Sequence, residues 1–517
     1  MLNAAMPPRQ PVVLVVDDEA VSRTLLEYHL QKTGARIHVA ASAAAARKLV
    51  AELGPAAIDC VITDYKMPNE SGLELLLWLK QNDPNLAVIM ITATTEREFV
   101  AATLRGGASD FLDKPITEAK LIAALNAGLS ATAHRRRLAA TDRAVQNVGA
   151  TQHQMFGLGP EAAPILDVCY HPCHAAGGDF INFFQIAPET FLVLTCDVSG
   201  HDLSSAFISA YFQGMARGMI EAGEPIARVL ERFNQFLLNE CGRHAATATS
   251  ASLLSLCACA VTVDRKGQTL VISNHGIPQA WHVDPAGRIS PSLSRIEGPL
   301  GWFDEIKVDH TQTPPGEYGQ LWVWTDGVEE LAEGLGVNPC SLATGLWRAQ
   351  LRGEPLSELE GARDDVLAVQ IHVSAKSPQG TWLPVLHEQY NGAMGPQIDT
   401  LQARWENSIK LALPELSESR RFDVLLATRE AIINALKHGC GARPDRNTWL
   451  TITVQPDLHV LRCTASDSGC GHEYDWISHE QSDDLTDLHR GLAIINRLAT
   501  QVTAARQGAE LTLDFSY

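Results

Sequence analysis

Three groups of residues in this 517-residue chain have the types and spacing to handle phosphate, and they follow one another along the sequence. The first is Asp17-Asp18, Asp64, Thr92 and Lys114. Clustered carboxylates repel unless a divalent cation neutralises them, and magnesium suits a sparse carboxylate-and-water site. The second is Asp179, Asp197, Asp326 and Asp364. Four dispersed carboxylates converging on one edge could hold two metals, which activate water and neutralise a phosphate monoester. The third begins with Glu430 and Asn434, four apart on a predicted helix and so on one face. An amide and a carboxylate there can hold magnesium and its phosphate oxygens. Asp467-Ser468-Gly469-Cys470-Gly471 adds a carboxylate for an adenine amine and glycines for close backbone approach. His489-Arg490-Gly491-Leu492 then opens a helix whose terminal amides suit anionic phosphate. The first group accepts a phosphoryl group, the second could remove one and the third could add one. Opposed chemistries in one chain point to a switch rather than a metabolic enzyme.

Such residues need elements that bring them together. From Pro11 to about Gly128, short apolar runs alternate with helical stretches. Val12–Val16, Cys60–Thr63 and Ala87–Thr92 read as buried parallel strands. Ala20–Thr33, Ala41–Leu53 and Gly72–Gln81 carry Leu and Ala at helical spacing. The result is a flavodoxin-like, doubly wound α/β sheet, whose ligands gather at the carboxyl ends of the strands. Thr117–Ala150 is Ala-rich and free of proline, with Leu121, Leu125 and Leu129 at i+4 spacing and Leu138 and Val145 continuing the stripe. It predicts a connector helix, either pairing with a second copy in a homodimer or lying on the surface of a monomer.

From about Gln154 to Ser374 the character changes to β segments, including Phe191–Cys196, Leu253–Val263, Thr269–Ser273, Gln320–Thr325 and Val366–Val373. Helical regions near Leu203–Ala222 and Pro225–Cys241 interrupt them. Ala375–Leu386, with Pro378, Gly380 and Pro384, reads as a linker. Helices near Met394–Leu413 and Arg420–His438 follow, then strands near Trp449–Val454 and His459–Ser466. A helix at Leu488–Val502 and a strand at Glu510–Phe515 complete the pattern. The expected boundaries are 1–128, a helical connector at 129–153, 154–374, a linker at 375–392, and 393–517.

Hydrophobic residues at 45% and charged residues at 20% allow each domain a real core. A formal net charge of −19 argues against a nucleic-acid partner, which needs clustered Lys and Arg. The basic run His134-Arg135-Arg136-Arg137 reads as a solvated helix face. Eleven scattered cysteines lack a disulfide framework and read as buried reduced thiols. No signal core or bilayer-length apolar stretch is present in the sequence, so a cytoplasmic protein without membrane contact is expected.

Asp17, Asp18, Asp64, Thr92 and Lys114 together resemble the response-regulator receiver family over about 120 residues. That resemblance implies that Asp64 becomes an acyl phosphate. Asp17, Asp18, Asp64 and the Lys66 carbonyl would bind Mg2+. Thr92 and Lys114 would contact the phosphoryl oxygens, and Phe111 would rotate inward with Thr92. The segments Ala176–Phe180, Thr195–His201, Trp324–Gly327 and Asp364-Asp365-Val366 resemble the PP2C-type phosphatases of the SpoIIE/RsbU-like branch. That family implies an αββα sandwich in which activated water attacks phosphoserine without a covalent phosphoenzyme. Asp179, Asp197, the Val198 carbonyl, Asp326 and Asp364 would hold two Mn2+ or Mg2+ ions. His201 is either a proton donor or a structural imidazole. Asn182 stands where the family usually has a second acidic residue, and Asn274-His275-Gly276-Ile277 replaces its Asn-Ala-Gly-His turn.

The Glu430–Asn434 helix, Asp467–Gly471 and Gly491 resemble the GHKL ATPase α/β sandwich, specifically the RsbW/SpoIIAB-like serine kinases. That resemblance makes Glu430 the general base, Asn434 a Mg2+ ligand, and Asp467 the adenine reader of an ATP site completed by Gly469, Gly471 and Gly491. Residues 475–489 form an acidic lid without glycine. In this order, the three domains resemble the HsbR-type response regulators of bacterial partner-switching systems. The resemblance implies a histidine kinase or histidine phosphotransfer protein as phosphodonor and a STAS-type anti-sigma-factor antagonist as substrate. Two alternatives stand beside it. The C-terminal domain is then a non-catalytic partner-binding module, or the chain is a hybrid histidine kinase using His387 in His387-Glu388.

Overall fold

The computed structural model describes residues 9–93, 106–155, 158–174, 177–200, 203–241, 254–267, 269–292, 294–308, 311–313, 319–373, 381–469 and 487–517. The chain forms two compact units, Met1–Val145 and Gln146–Tyr517. Among the described residues, no helix is long and apolar enough to cross a membrane. Nine described cysteines are free thiols, and burial pushes those of Cys259 and Cys463 up to about 12.

In the first unit, β1 (Val12–Val16), α1 (Ala20–Gln31), β2 (Arg36–Ala40), α2 (Ala43–Leu53), β3 (Cys60–Asp64), α3 (Gly72–Asn82), β4 (Ala87–Thr92) and β5 (Asp110–Asp113) build one sheet. Its order is β2-β1-β3-β4-β5, with every pair parallel. Successive strand side chains point to opposite faces, and here both faces are covered. Leu14, Val16, Val61, Val88 and Met90 pack among Ala46, Val50, Leu75 and Leu79 of α2 and α3. Val13, Val15, Ile62, Ile89 and Ile91 pack among Leu26, Leu30, Leu121 and Leu125. Burial on both sides explains why these strands read as unbroken apolar runs.

Leu121 and Leu125 belong to α4 (Glu118–Met155), which continues through the expected connector. The first leucines of the pairing stripe are therefore spent in this unit's own core, while Leu138 is exposed. The basic run departs further from expectation, because Arg135 and Arg136 are not a solvated face. Arg136 donates to Asp83 Oδ2 (2.6 Å), Asp59 Oδ1 (3.2 Å) and the Ile58 carbonyl (2.7 Å). Arg135 donates to the Asn85 carbonyl (3.0 Å), and the buried Thr132 hydroxyl accepts from Ala87 N (2.8 Å). The helix thus reaches the amino ends of β3 and β4 and supplies donors to loop carbonyls and two carboxylates there. Arg136→Ala is expected to destabilise this unit by about 2 kcal/mol, since charge-assisted bonds and desolvated acceptors are lost together. Urea denaturation measures the loss, and faster amide exchange over residues 129–140 would locate it.

The second unit contains three sheets. Its first part comprises β6 (Leu166–His171), β7 (Phe180–Ala187), β8 (Thr190–Val198), α5 (Leu203–Glu221), α6 (Ile226–Phe236), β9 (Leu256–Asp264) and β10 (Thr269–His275). It continues with β11 (Trp281–Val283), β12 (Ile289–Pro291), β13 (Ile296–Glu297), β14 (Thr311–Thr313) and β15 (Gln320–Trp324). Helices α7 (Asp326–Leu335) and α8 (Pro339–Arg352) and strand β16 (Val366–His372) complete it. One sheet runs β13-β10-β9-β8-β7, with β14 on β10, and the other β12-β11-β15-β16-β6. They face each other through Phe183, Val193, Val261 and Ile272 on one side and Leu321, Val323, Val369 and Ile371 on the other. Phe212 of α5 and Phe233 of α6 cover the first sheet's outer face. Neither α7 nor α8 was expected from the sequence pattern.

The last sheet is β17-β18-β19-β21-β20, from β17 (Leu383–Asn391), β18 (Asn447–Gln455), β19 (Val460–Asp467), β20 (Gln501–Ala505) and β21 (Glu510–Ser516). Helices α9 (Ile398–Ala412), α10 (Glu418–Asn434) and α11 (Asp487–Leu498) accompany it. Residues 375–392, expected as a linker, contain β17, whose Leu383, Val385 and Leu386 are fully buried. The expected helix Leu488–Val502 ends at Leu498. Arg420 donates to the Leu498 carbonyl (3.1 Å), and Thr500 N donates to the Asp514 carbonyl (2.7 Å), which turns residues 501–505 into an edge strand.

A single apolar core joins this sheet to the preceding sandwich. Trp322, Trp324, Leu342 and Leu346 share it with Leu383, Val385, Trp405 and Ile409. Polar contacts fix the register. Asn338 N donates to Ser408 Oγ (2.9 Å), Thr344 Oγ1 to the Pro384 carbonyl (2.5 Å), and Arg348 to the Ala412 carbonyl (2.8 Å). Arg462 pairs with Asp514 at 2.7 Å, donates to the Ala286 carbonyl (2.7 Å) and lies 4.5 Å from the Trp382 ring centre. Trp405→Ala leaves a cavity in that shared core and is expected to cost about 3–5 kcal/mol. Hydrogen exchange should then accelerate in β15 and α8 as well as in α9 and β17. Acceleration confined to residues after 383 would contradict a common core.

Candidate functional site

In the first unit the carboxyl ends of β1, β3 and β4 bring Asp17, Asp64 and Thr92 to one edge. Lys114 Nζ lies 2.6 Å from Asp64 Oδ1 and 3.5 Å from Asp17 Oδ2. Burial raises the Asp64 pKa against the pull of Lys114. Burial alone would lower the Lys114 pKa, but its hydrogen bond to Asp64 and the charges of Asp64 and Asp17 outweigh that and raise it. Asp17 is fixed by Ser22 Oγ (2.6 Å) and Glu19 N (2.8 Å), whereas Asp18 is exposed. Lys66 meets Asp64 through its amide, N to Oδ2 at 3.1 Å. Thr92 is buried and its carbonyl accepts from Lys114 N (2.9 Å), while Phe111 stands outward, 39% exposed. A Cβ at Gly72 would overlap the Asp64 carbonyl, so only glycine lets α3 start this close to β3.

The second group gathers where β7, β8, β15 and β16 begin or end. Asp179 is 2% exposed. Burial raises its pKa well above the carboxylate range, and Asp197, Asp365 and Asp326 add to the rise. Burial, then Asp326 and Asp364, push Asp197 up to about 7. Burial and Asp364 raise Asp326 as well. Among the described residues, no three His, Cys, Asp or Glu side chains already close around one point. The carboxylates nevertheless share a neighbourhood in which neighbouring charges hinder the ionisation of Asp179, Asp197 and Asp326. Such a set fits divalent cations, whose charge reverses the penalty. Val198 presents its carbonyl here, close enough that a Cβ at Gly178 would overlap it. Asn182 is buried beside Gln213 (3.4 Å). In the Asn274 turn the side chain accepts from Ile277 N (3.1 Å) and donates to the Ile277 carbonyl (3.0 Å). His201 lies outside the described residues.

Two neighbours went unrecognised in the sequence. Asp365 accepts from Cys173 N (2.8 Å), Gly178 N (2.7 Å) and Asp179 N (3.3 Å), and Thr325 Oγ1 donates to Asp179 Oδ2 (2.5 Å). The available signal was the Asp364-Asp365 pair itself, because adjacent residues entering a strand face opposite ways.

The third group assembles on α10. Gly491 sits against both motif residues, since a Cβ there would lie 3.0 Å from Glu430 Oε2 and 3.3 Å from Asn434 Nδ2. Asn434 is buried, and among the described residues its Nδ2 has no hydrogen-bond partner. A buried amide without a partner, facing a glycine-lined space, fits a polar ligand such as the Mg2+ and phosphates of ATP. Asp467 ends β19, and its Oδ1 accepts from Gly469 N (2.7 Å). A Cβ at Gly439 would overlap the Asp467 carboxylate, so this glycine, unweighted in the sequence, lets the turn after α10 approach the end of β19. Gly471 and most of the acidic lid, residues 470–486, lie outside the described residues.

His387, required by the hybrid-kinase alternative, is in β17. Its Nδ1 bonds Thr451 Oγ1 (2.9 Å), its ring lies 5.4 Å from that of Trp281, and burial pushes its pKa down to about 4. A half-buried strand imidazole bonded to Thr451 is not an exposed phosphoacceptor on a two-helix hairpin.

Residues 13–126 match the model of the response regulator receiver domain. The chemotaxis protein CheY of Thermotoga maritima is 32% identical over 114 residues, 22% of this chain and 93% of CheY. The chain belongs to the response-regulator family. In this response regulator, residues 187–368 match the stage II sporulation protein E model and residues 397–516 the histidine kinase-like ATPase domain. It therefore carries a receiver, a PP2C-like phosphatase domain and a kinase-like ATPase domain, in that order. The transcriptional regulator FixJ of Azorhizobium caulinodans is 37% identical over 26% of this chain and 61% of its own. The match spans only 24% of PilR and 30% of DctD, both of Pseudomonas aeruginosa. A solved structure of the RsbU and RsbW domains of a Mycobacterium tuberculosis protein is 16% identical, covering 68% of this chain and 93% of its own, with a TM-score of 0.30.

Gly491→Val would place a branched side chain against Glu430 and Asn434. It is expected to weaken ATP binding by more than about tenfold, or about 1.4 kcal/mol, with little change in melting temperature. Calorimetric titration of the full chain with ATP and Mg2+ measures it.

Proposed function

We propose that this response regulator phosphorylates and dephosphorylates one STAS-type anti-sigma-factor antagonist on serine, and that phosphorylation of Asp64 selects the prevailing activity. The observation that carries the reading is the presence of both catalytic groups in one unit with a common core, each with buried polar chemistry suited to phosphate. In the receiver, Asp64 is the nucleophile toward a phosphohistidine donor and Lys114 neutralises the incoming phosphoryl oxygens. Asp17, Asp18, Asp64 and the Lys66 carbonyl would hold Mg2+, and Thr92 and Phe111 form the switch pair.

In the phosphatase domain, Asp179, Asp197, Val198, Asp326 and Asp364 would hold two Mn2+ or Mg2+ ions, which supply charge neutralisation and an activated water. The protein's part is to hold these carboxylates together against their repulsion. In the ATPase domain, Glu430 takes the proton of the substrate serine hydroxyl and Asn434 would bind Mg2+. Asp467 reads adenine, and Gly469, Gly471 and Gly491 keep space for the nucleotide. A receiver that extends past residue 128 to include Arg136, a phosphatase domain at 154–374 and an ATPase domain that starts with β17 go with this reading, as does a cytoplasmic location. A homodimer through residues exposed on α4 beyond the receiver core is part of the same proposal.

The test uses the full chain, a STAS antagonist and acetyl phosphate. Antagonist phosphorylation with ATP and Mg2+ should vanish in Glu430→Ala, and dephosphorylation with Mn2+ should vanish in Asp197→Asn. Acetyl phosphate should move the two rates in opposite directions in the wild type and leave Asp64→Asn at its basal rates. A response that survives Asp64→Asn contradicts receiver control. Dephosphorylation without any ATP-dependent transfer leaves a regulated phosphatase with a partner-binding domain.

A further inference from the structure

We infer that Asp365 and Thr325 are positioning residues that set the orientation of Asp179, and through it the metal affinity of the phosphatase domain. The inference rests on the phosphatase reading above and concerns two residues that take no part in its chemistry. Asp365 is 2% exposed, and both of its oxygens face backbone amides. Oδ1 accepts from Cys173 N, and Oδ2 accepts from Gly178 N and Asp179 N. One carboxylate thus ties down both ends of the segment between β6 and β7 that delivers Asp179. Space around it is tight: a Cβ at Gly177 would overlap Asp365 Oδ2, and one at Gly327 would overlap the Asp365 carbonyl. The Asp179 segment and the start of α7, which carries Asp326, are both built against this residue.

Thr325 completes the arrangement from the other side. Its hydroxyl has one hydrogen, and the 2.5 Å bond to Asp179 Oδ2 uses it. The same oxygen accepts from Leu367 N at 3.3 Å, which anchors the hydroxyl to β16. The Asp179 backbone is therefore held by Asp365 and its carboxylate by Thr325. Fixing a ligand's orientation in advance lowers the ordering cost of binding, and such supporting groups are typically worth about 10–100-fold in metal affinity. In Asp365→Asn the amide nitrogen cannot accept. Whichever way the amide turns, either Cys173 N or the Gly178–Asp179 pair faces another donor.

The experiment uses the full chain with p-nitrophenyl phosphate as substrate and Mn2+ as the metal. In Asp365→Asn and Thr325→Val the Mn2+ concentration for half-maximal activity should rise about 10–100-fold, with kcat at saturating Mn2+ held within about threefold. Calorimetric Mn2+ binding without substrate should weaken by the same factor, and Thr325→Ser should restore it. Asp197→Asn should instead lose turnover at every Mn2+ concentration. If Asp365→Asn fails to fold by its melting curve, Thr325→Val and its serine rescue decide the matter. Mn2+ affinity equal to wild type in the variants overturns the inference alone, as does a fall in kcat with no shift in Mn2+ dependence. A wild-type chain that neither binds Mn2+ nor turns over substrate overturns the phosphatase reading itself.

Discussion

Strand β15 is where two of the cores of the second unit meet, and its alternation governs what surrounds it. Leu321 and Val323 point into the sandwich, whereas Trp322 and Trp324 point toward α7, α8 and the ATPase domain. All five of its residues are buried. A strand with one solvated face could not do this, because polar residues would alternate with apolar ones. With both faces committed, the strand has no freedom to slip by one residue, since a slip would exchange the two sets of side chains. Its end is therefore a fixed point, and there the chain places Thr325 and Asp326. The site chemistry and the joint between domains depend on the same five residues.

The three sites solve one electrostatic problem differently. A carboxylate taken out of water resists ionisation, and neighbours of like charge increase that resistance. The receiver edge sets Lys114 against Asp64, which lowers what burial raises. In the phosphatase domain the shifts of Asp179 and Asp197 come from burial and from other carboxylates, with hydrogen bonds opposing them. That group depends on added positive charge. At the ATPase site crowding is relieved by removing side chains instead: Gly439, Gly469 and Gly491 leave room around Asp467, Glu430 and Asn434.

Much of the receiver was legible in the sequence, because Asp17, Asp64 and Thr92 sit where unbroken apolar runs end, and such runs are doubly buried strands. The ATPase elements were also legible from helical and strand periodicity, apart from β17 and β20. Strand β17 was obscured because Pro378, Gly380 and Pro384 mark a break in composition, while the burial of Leu383, Val385 and Leu386 comes from partners far along the chain. Arg135 and Arg136 were misread for a related reason. A basic run carries no sign of the carbonyls and carboxylates that a neighbouring loop will present.

By itself the sequence determined the order of three phosphate-handling domains, the strand ends that carry Asp64, Asp197, Asp326 and Asp467, and the helix that carries Glu430 and Asn434. These are local properties, set by periodicity of two or 3.6 residues and by residue type. Only the tertiary structure decided that α8 and β17 fuse phosphatase and ATPase domains around one core, and that Asp365 and Thr325 hold Asp179. The physical reason is that those relations join residues up to 192 positions apart. No spacing rule encodes which buried donor will meet which acceptor; that is fixed when the sheets pack and every buried amide must find a partner.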